Sequence, residues 1–449
     1  MKQLRLALAV MVCKILIMIG KLMGTKSSSA PGRFALKICP DALRLLAPKV
    51  KEKIICVLGT NGKTTTNNMI NTLITQTGRT TVCNNVGANM FDGVATAFIS
   101  SAGLFGTLKA DYAVLEIDEA SAKIVFDHLT PDVIVVTNLF RDQMDRYGEI
   151  TETLEQLKIA IKKAPEATLV LNGDDPMCAS FTRSVQNPCV IFGVSEKTNQ
   201  PETESKEGRT CLFCGNELSY NFYHYSQLGD FYCEGCDYKR PAPHFGASRV
   251  ELSPTVSFLL NEKQEVKTTL LGFYNLYNVL AAISVAETVK LYIANYTQAF
   301  ADYETQTARM EEFHLEKPVI LNLAKNPAGF NQAIATLKND PRKKAVVVGI
   351  NDMPSDGIDI SWLYDVDFEL LSDCVAYGAS GKRCQDMALR WYYADVESVT
   401  VNQNPVSVAM DFLKTDCEVV YLLVNYTLIF DAKKELQKAE KTLKKGDNK

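Results

Sequence analysis

Three stretches of this 449-residue chain hold residues whose types and spacing could do chemistry. The first is GTNGKTTT, Gly59 to Thr66, which follows the β-branched run KIICVL. A strand that ends in glycines and opens into a helix turns backbone amides toward an anion. In such a loop Gly59, Thr60, Asn61, Gly62, Lys63, Thr64 and Thr65 would cradle nucleotide phosphates. Lys63 would reach the outer phosphates and the Thr64 hydroxyl would bind Mg²⁺. The longer form of this loop starts with a glycine where Val57 stands, so the pattern here is the shorter G-x-x-G-K-T. The alternative is a glycine-rich turn with no ligand. Glu116 closes the run YAVLEID. Ligands gather at the carboxyl ends of parallel strands, which would put Glu116 on Mg²⁺ or its water; otherwise it is a surface carboxylate beside a helix.

The second stretch runs from Cys211 to Cys236. Cys211, Cys214, Cys233 and Cys236 form two C-x-x-C pairs with eighteen residues between them. That is zinc-ribbon spacing. Four thiolates fill a tetrahedral Zn²⁺ and leave no position for water, so the site would be structural. It would organise a short Tyr- and Gly-rich insertion that cannot bury a core by itself, making a rigid projection. Four unliganded core cysteines are the alternative. A third cluster, GINDMPSDGIDISWLYDVDFE, gathers Asp352, Asp356, Asp359, Asp365, Asp367 and Glu369. Asp359 and Ser361 both suit a helix N-cap. The histidines, His128, His224, His244 and His314, are scattered, and a lone histidine is most often a structural residue.

Elements must position these groups. KIICVLG, TVCNN, YAVLEID, VIVVTNLF, TLVLNGDDP and CVIFGV read as buried strands, several with helical segments between them. Alternation of this kind predicts a parallel sheet in an α/β domain. TTTNNMINTLITQTG has helical spacing up to Gly78. Residues 197–209 read as a polar linker, the sheet resumes near Val256, and NLYNVLAAISVAETVKLY predicts an amphipathic helix. From residue 314 a second α/β unit is expected, with strands at VILNLA, KAVVVGI, CVAYGA and VVYLLV and a Lys-rich helical tail.

Composition bounds the rest. The formal net charge of −4 gives no basic surface for nucleic acid. Thirteen cysteines, an odd count with one metal-type cluster, favour a reducing cytoplasm over a disulfide framework. The segment from Leu4 to Ile19 is apolar but interrupted by Lys14, which reads against a bilayer span; a secretory signal fits in outline, with Lys2 and Arg5 ahead and SSSAPG behind, but chemistry that needs ATP and reduced thiols reads against it. It is expected as a helix packed on the first domain, or as one that touches a membrane surface through its apolar face. SSSAPG, Ser27 to Gly32, reads as a breaker before the globular part.

Together these residues resemble the Mur ligase family, which joins amino acids to cell-wall precursors through acyl phosphates. GTNGKTTT is similar to the family's ATP loop and Glu116 to its Mg²⁺ carboxylate. TNLFRDQMDRYGE resembles T-N-x-x-x-D-H-x-D. GFYNLYNVLAA resembles the helix whose asparagines, here Asn275 and Asn278, sit near the adenine. ARMEEF would turn Arg309 toward the nucleotide, and NLAKNPAGF falls where the family has D-Y-A-H-x-P. Gln143 and Asn322 replace the histidine and aspartate of the usual second metal position, which implies a single Mg²⁺. About fifty residues precede the ATP loop, too few for the family's separate UDP-binding domain.

The cysteine insertion, FRDQMDRYGE, AKNPAG and DGIDISWLYDVDFE resemble the MurT branch alone. That resemblance implies an N-terminal apolar helix and lead-in over 1–49. It implies a Mur ligase-like ATP domain over 50–313, with the zinc ribbon inserted at 205–245, and a C-terminal α/β domain over 314–449 that contacts a partner. The partner would be a GatD-like glutamine amidotransferase. The implied reaction is ATP-dependent amidation of the D-glutamate α-carboxylate of lipid II to D-isoglutamine, with ammonia supplied by that partner. Lys63, Glu116 and Asp359 are the implied catalytic residues, Asp359 by completing the partner's Cys–His pair across the interface. The implied location is the cytoplasm, with the inner face of the membrane within reach. An amino-acid-adding ligase of Mur or folylpolyglutamate type is the competing enzyme reading. A zinc-ribbon adaptor with a vestigial nucleotide site is the non-enzymatic one.

Overall fold

The computed structural model describes residues 2–23, 28–84, 87–141, 150–198, 208–252, 255–303 and 310–446. Its strands are β1 Lys53–Leu58, β2 Thr81–Cys83, β3 Tyr112–Glu116, β4 Val133–Val136, β5 Thr168–Asn172 and β6 Cys189–Val194. They continue with β7 Leu218–Tyr225, β8 Leu228–Cys233, β9 Phe245–Glu251, β10 Ser257–Leu260 and β11 Gln264–Lys267. The last are β12 Glu311–His314, β13 Pro318–Leu323, β14 Lys344–Gly349, β15 Ala376–Ser380, β16 Thr400–Val401 and β17 Val419–Val424. The helices that matter here are α1 Lys2–Leu22, α2 Ala30–Ile38, α3 Lys63–Gln76, α4 Phe91–Ser101, α5 Phe273–Thr288, α6 Pro327–Lys338 and α7 Tyr426–Gly446.

Nine strands form the first sheet, in the order β11-β10-β9-β6-β5-β4-β1-β3-β2. From β9 to β2 every pairing is parallel, and β10 and β11 add an antiparallel edge. β1 lies inside this sheet, with Ile55 beside Val114 on one flank and Val133 on the other. A strand covered on both faces needs apolar side chains throughout, which is why KIICVL does not alternate. The sheet resumes at Phe245 rather than near Val256, because β9 pairs with β6 as soon as the cysteine block ends.

α3 lays Met69, Ile70, Leu73 and Ile74 on the sheet. Each such side chain, fully buried, contributes about 2 kcal/mol. α5 differs from the amphipathic helix expected. Asn275 to Ala286 are buried without a break, because α5 runs between the sheet, α3 and α6. Ala281, Ala282, Ser284 and Ala286 let those neighbours approach closely.

SSSAPG does not only interrupt the chain. α2 starts inside it, with Pro31 in the first turn, where a missing N–H costs nothing. Gly32 lies so close to α4 that a Cβ would stand 2.1 Å from the Asp92 carbonyl. α1 packs on α2 and α4, as the domain-packed reading expects.

The second sheet runs β12-β13-β17-β14-β15-β16, parallel except for the edge strand β12. β12 begins at Glu311, so the boundary expected at 313/314 falls inside a strand. α7 is the Lys-rich tail, with Ile429, Ala432 and Leu436 buried along one side.

The cysteine block is not a projection. β7 and β8 form a hairpin whose tip residues, Tyr225 and Leu228, belong to the central core with Phe273 and Tyr277. Its base makes a small separate core from Leu218, Phe231, Tyr238, Cys211 and Cys233, with Cys236 packed against it.

Candidate active site

β1 ends at Leu58 and α3 begins at Lys63, so the phosphate loop bridges them at the carboxyl edge of the sheet. Gly59 (φ 117°) and Gly62 (φ 83°) hold left-handed backbone that favours glycine. A Cβ on Gly62 would lie 2.1 Å from the Asn278 Oδ1. The loop is clamped from β4's far end. Thr60 N–H donates to the Asn138 carbonyl at 2.8 Å and Asn61 N–H to the Asn138 side chain at 2.8 Å. The Thr137 hydroxyl donates to the Asn61 carbonyl at 2.7 Å. The Thr-Asn pair therefore shapes the loop.

Lys63 is buried. Its ammonium donates to Glu119 Oε1 at 2.8 Å, to the Thr60 carbonyl at 3.3 Å and to the Gly59 carbonyl. Burial opposes its charge, but Glu119, with Asp118 and Glu116 behind it, outweighs that and raises the Lys63 pKa. Glu116 lies beside Val57 in register, is buried, and accepts from Asn89 Nδ2 at 3.0 Å. Asn84 brackets its backbone on both sides. Asp118 caps the short helix Glu119–Val125. The strand end thus supplies three buried carboxylates, of which sequence reading took only Glu116. Thr64 is half-buried at the start of α3, while Thr65 is buried.

Asn278 accepts from the Thr66 hydroxyl at 3.3 Å and touches Gly62. Asn275 turns away. It donates to the Leu271 carbonyl at 2.7 Å and accepts from Asn278 at 2.9 Å, so it orients Asn278 rather than lining the cleft. Arg309 and Gln143 lie outside the described residues. Asn322 is buried and accepts from Met310 N–H at 3.2 Å.

A cleft opens between the two sheets. Asn61, Gly62 and Asn278 line one wall, Asn322, Lys325 and Gln332 the other. Tyr225, at the tip of the cysteine hairpin, also lines it, beside Tyr274. Lys325 and Tyr225 are site residues that sequence reading missed. Asn61 and Asn326 exchange amide hydrogen bonds of 3.2 and 3.3 Å across the opening. Arg141 makes a second link, 3.4 Å from Asp365.

The four cysteine sulfurs lie within 4.8 Å of one another, with closest pairs of 3.4 and 3.6 Å. Sulfurs bound tetrahedrally at zinc distance stand about 3.8 Å apart, so the set fits one metal ion. Asp359 is exposed. Its carboxylate accepts from Ser361 N–H at 2.8 Å, which keeps its pKa below the usual carboxylate range. Asp356, by contrast, is buried and bonded to Thr427.

Residues 57–234 match the family Mur ligase middle domain, and residues 323–429 match the family MurT ligase C-terminal. The lipid II isoglutaminyl synthase (glutamine-hydrolyzing) subunit MurT of Staphylococcus aureus strain N315 is 36% identical over 394 residues, 87% of this chain and 88% of that one. The same subunit of Streptococcus pneumoniae strain R6 is 35% identical over 414 residues, 90% and 91% of the two chains. Among solved structures, a pseudomurein peptide ligase type C from Methanothermus fervidus superposes with a TM-score of 0.70 at 23% identity, covering 87% of this chain and 79% of its own. MurF ligase from Thermotoga maritima, solved with ADP, gives 0.62 at 17%, covering 92% and 84%. Those two likenesses are of fold. The phosphate loop, its acidic strand end and the cleft closed by the second sheet are thus carried by a chain that belongs to the MurT family of Mur ligase-fold proteins.

Proposed function

We propose that this chain is the ATP-dependent subunit of a lipid II isoglutaminyl synthase. It would amidate the D-glutamate α-carboxylate of the lipid II stem peptide to D-isoglutamine. The observation that carries the reading is the phosphate loop, whose Asn61 and Gly62, with Asn278, line a cleft that has the MurT-type C-terminal domain as its other wall, while Lys63 and the buried Glu116 lie at the foot of the loop. A glutamate carboxylate oxygen attacks the γ-phosphorus of ATP and ADP leaves. Ammonia then attacks the carbonyl carbon and phosphate departs. Lys63 offsets the charge that grows on the transferred phosphoryl group. The loop amides of Gly59 to Thr65 hold the phosphates, with Asn278 and Arg309 placing the nucleotide. Thr64 and Glu116 would hold Mg²⁺, which draws charge from the phosphate oxygens when bound.

Ammonia is mostly protonated at neutral pH, so it should come directly from a GatD-like glutamine amidotransferase. Asp359 would complete that partner's Cys–His pair. Met353, Ile358 and Tyr364, near it in sequence, and Tyr393, edge-on to Tyr364, are exposed apolar residues that suit a docking protein. The four thiolates would hold Zn²⁺, closed to water and structural. The chain would work in the cytoplasm, at the inner face of the membrane where a lipid-linked substrate lies.

The test combines the purified chain with its amidotransferase, ATP, lipid II and either glutamine or ammonium, read by mass spectrometry of the stem peptide. Conversion of one acid to an amide is expected. Gain of a whole amino-acid residue would mean an amino-acid-adding ligase, and absence of ATP turnover would remove both readings.

A further inference from the structure

α1 has two apolar faces. One is spent on the fold: Leu6, Ala9, Val10, Cys13 and Gly20 are buried against α2 and α4. The other faces solvent. Leu4, Leu8, Met11, Ile15, Met18 and Leu22 recur at alternating spacings of four and three, so they form a single stripe along the helix. Leu4 is 78% exposed, Met18 57% and Leu22 82%. The turn past the end of α4 touches Leu6 through Gly106 and adds exposed Leu104 and Phe105, the latter 86% exposed. A soluble domain rarely leaves so long an apolar strip open.

The charges say what covers it. The first forty residues hold seven cations, Lys2, Arg5, Lys14, Lys21, Lys26, Arg33 and Lys37, and no acid, in a chain whose net charge is −4. At 100° per residue, Arg5 lies about 90° from the centre of the exposed stripe on one side, and Lys14 and Lys21 lie about as far on the other. Cations on both borders of an apolar strip match a surface that is apolar below and anionic above. A second copy of the chain would instead set these borders against each other.

We propose that the outer face of α1, with Phe105, docks in the plane of an anionic phospholipid bilayer. The aliphatic stripe enters the acyl boundary while Arg5, Lys14 and Lys21 reach the headgroups. Among the described residues α1 is the one helix long and apolar enough to cross a membrane. Its packed face holds it on the domain, so it lies flat. This deepens the location given above, and its test needs neither ATP nor stem peptide, so it stands or falls apart from the amidation reading.

The full chain is mixed with vesicles of phosphatidylcholine alone or with added phosphatidylglycerol, and bound protein is measured by co-sedimentation. Binding is expected on the anionic vesicles and not on the neutral ones. It should weaken with salt, and Lys14→Ala and Lys21→Ala should each cost about fivefold. Ile15→Glu with Met18→Glu should reduce binding to background with an unchanged melting temperature, since both side chains are exposed. Should that pair fail to fold, Leu8→Gln with Met11→Gln tests the same stripe without adding charge. Equal binding by a folded stripe variant would overturn the proposal. So would absence of wild-type binding, including a chain that self-associates and becomes monomeric on Ile15→Glu. Binding that resists alkaline extraction would also overturn it, because it would mean insertion.

Discussion

Lys63 has no slack. It is buried, and its three acceptors already include a carboxylate, so an arriving phosphate must take over a partner rather than find a free cation. Lys63→Ala removes the group that meets the transferred phosphoryl and strands Glu119 in the interior. Amidation is expected to fall by at least about a hundredfold, with ammonium as well as with glutamine, since no acyl phosphate forms. The unpaired Glu119 should lower stability by about 3 kcal/mol, read as a drop in melting temperature. Wild-type turnover by this variant would take the loop out of the mechanism. Gly62→Ala makes a different break. Left-handed backbone costs a non-glycine residue about 1–2 kcal/mol, and the new methyl would collide with Asn278. The KM for ATP is expected to rise more than kcat falls, because the damage is to the phosphate seat. Residue types made Lys63 and Gly62 legible, since few other side chains could serve there. Asp118 and Glu119 were not legible. LEIDEA offers three acids, and only the turn from β3 into the next helix decides that Asp118 caps it while Glu119 points back to Lys63.

The cysteine hairpin shows what an element adds. Zinc-ribbon spacing was plain in the sequence, but spacing says nothing about where the hairpin's far end goes. Tyr225 packs against Phe140, Phe273 and Tyr277 and reaches the nucleotide cleft, and Gln227 donates to the Leu139 carbonyl at 2.7 Å. Asp174, Arg240 and Tyr277 lock the same seam from beneath. Loss of the proposed zinc should therefore be felt in the cleft that Tyr225 lines. Cys211→Ser, or a strong chelator, is expected to remove zinc and lower the melting temperature by more than about 5 °C. It should also weaken nucleotide binding measured by calorimetry. Wild-type protein that contains no zinc, or zinc loss that leaves nucleotide affinity unchanged, would refute this coupling. α5 was misread for a related reason. Its sequence holds too few polar residues to mark a solvent face, and amphipathic spacing was expected where burial proved nearly complete, because the sheet, α3 and α6 surround it. Periodicity reports the faces of a helix only when one of them meets water. β1, β3 and β4 were legible because strands covered on both sides write continuous apolar runs.

At the scale of the whole molecule, two sheets share one cleft. Asn61 and Asn326 tie the phosphate loop to α6, and Arg141 ties the end of the Thr-Asn segment to Asp365. Asp365 ends the same short turn, Ser361–Asp365, that Asp359 precedes. The surface proposed for the amidotransferase is therefore linked to the phosphate-loop side of the cleft through the Arg141–Asp365 ion pair. A Cys–His nucleophile needs a third group to orient its imidazole, and that group must be ionised and reachable. Asp359 meets both conditions. The Ser361 amide holds its pKa down, and its side chain is open to solvent. Asp356 fails the second, being buried on Thr427, so it offers no spare. Asp359→Asn keeps the shape and the hydrogen bond from Ser361 but removes the charge. Glutamine-dependent amidation is expected to fall by about a hundredfold or more, while ammonium-dependent amidation and complex formation stay at wild-type level. The ratio of the two activities, measured on the same preparation, is the decisive quantity. If both fall together, Asp359 serves the fold or the ligase site. If neither falls, the partner completes its own catalytic group.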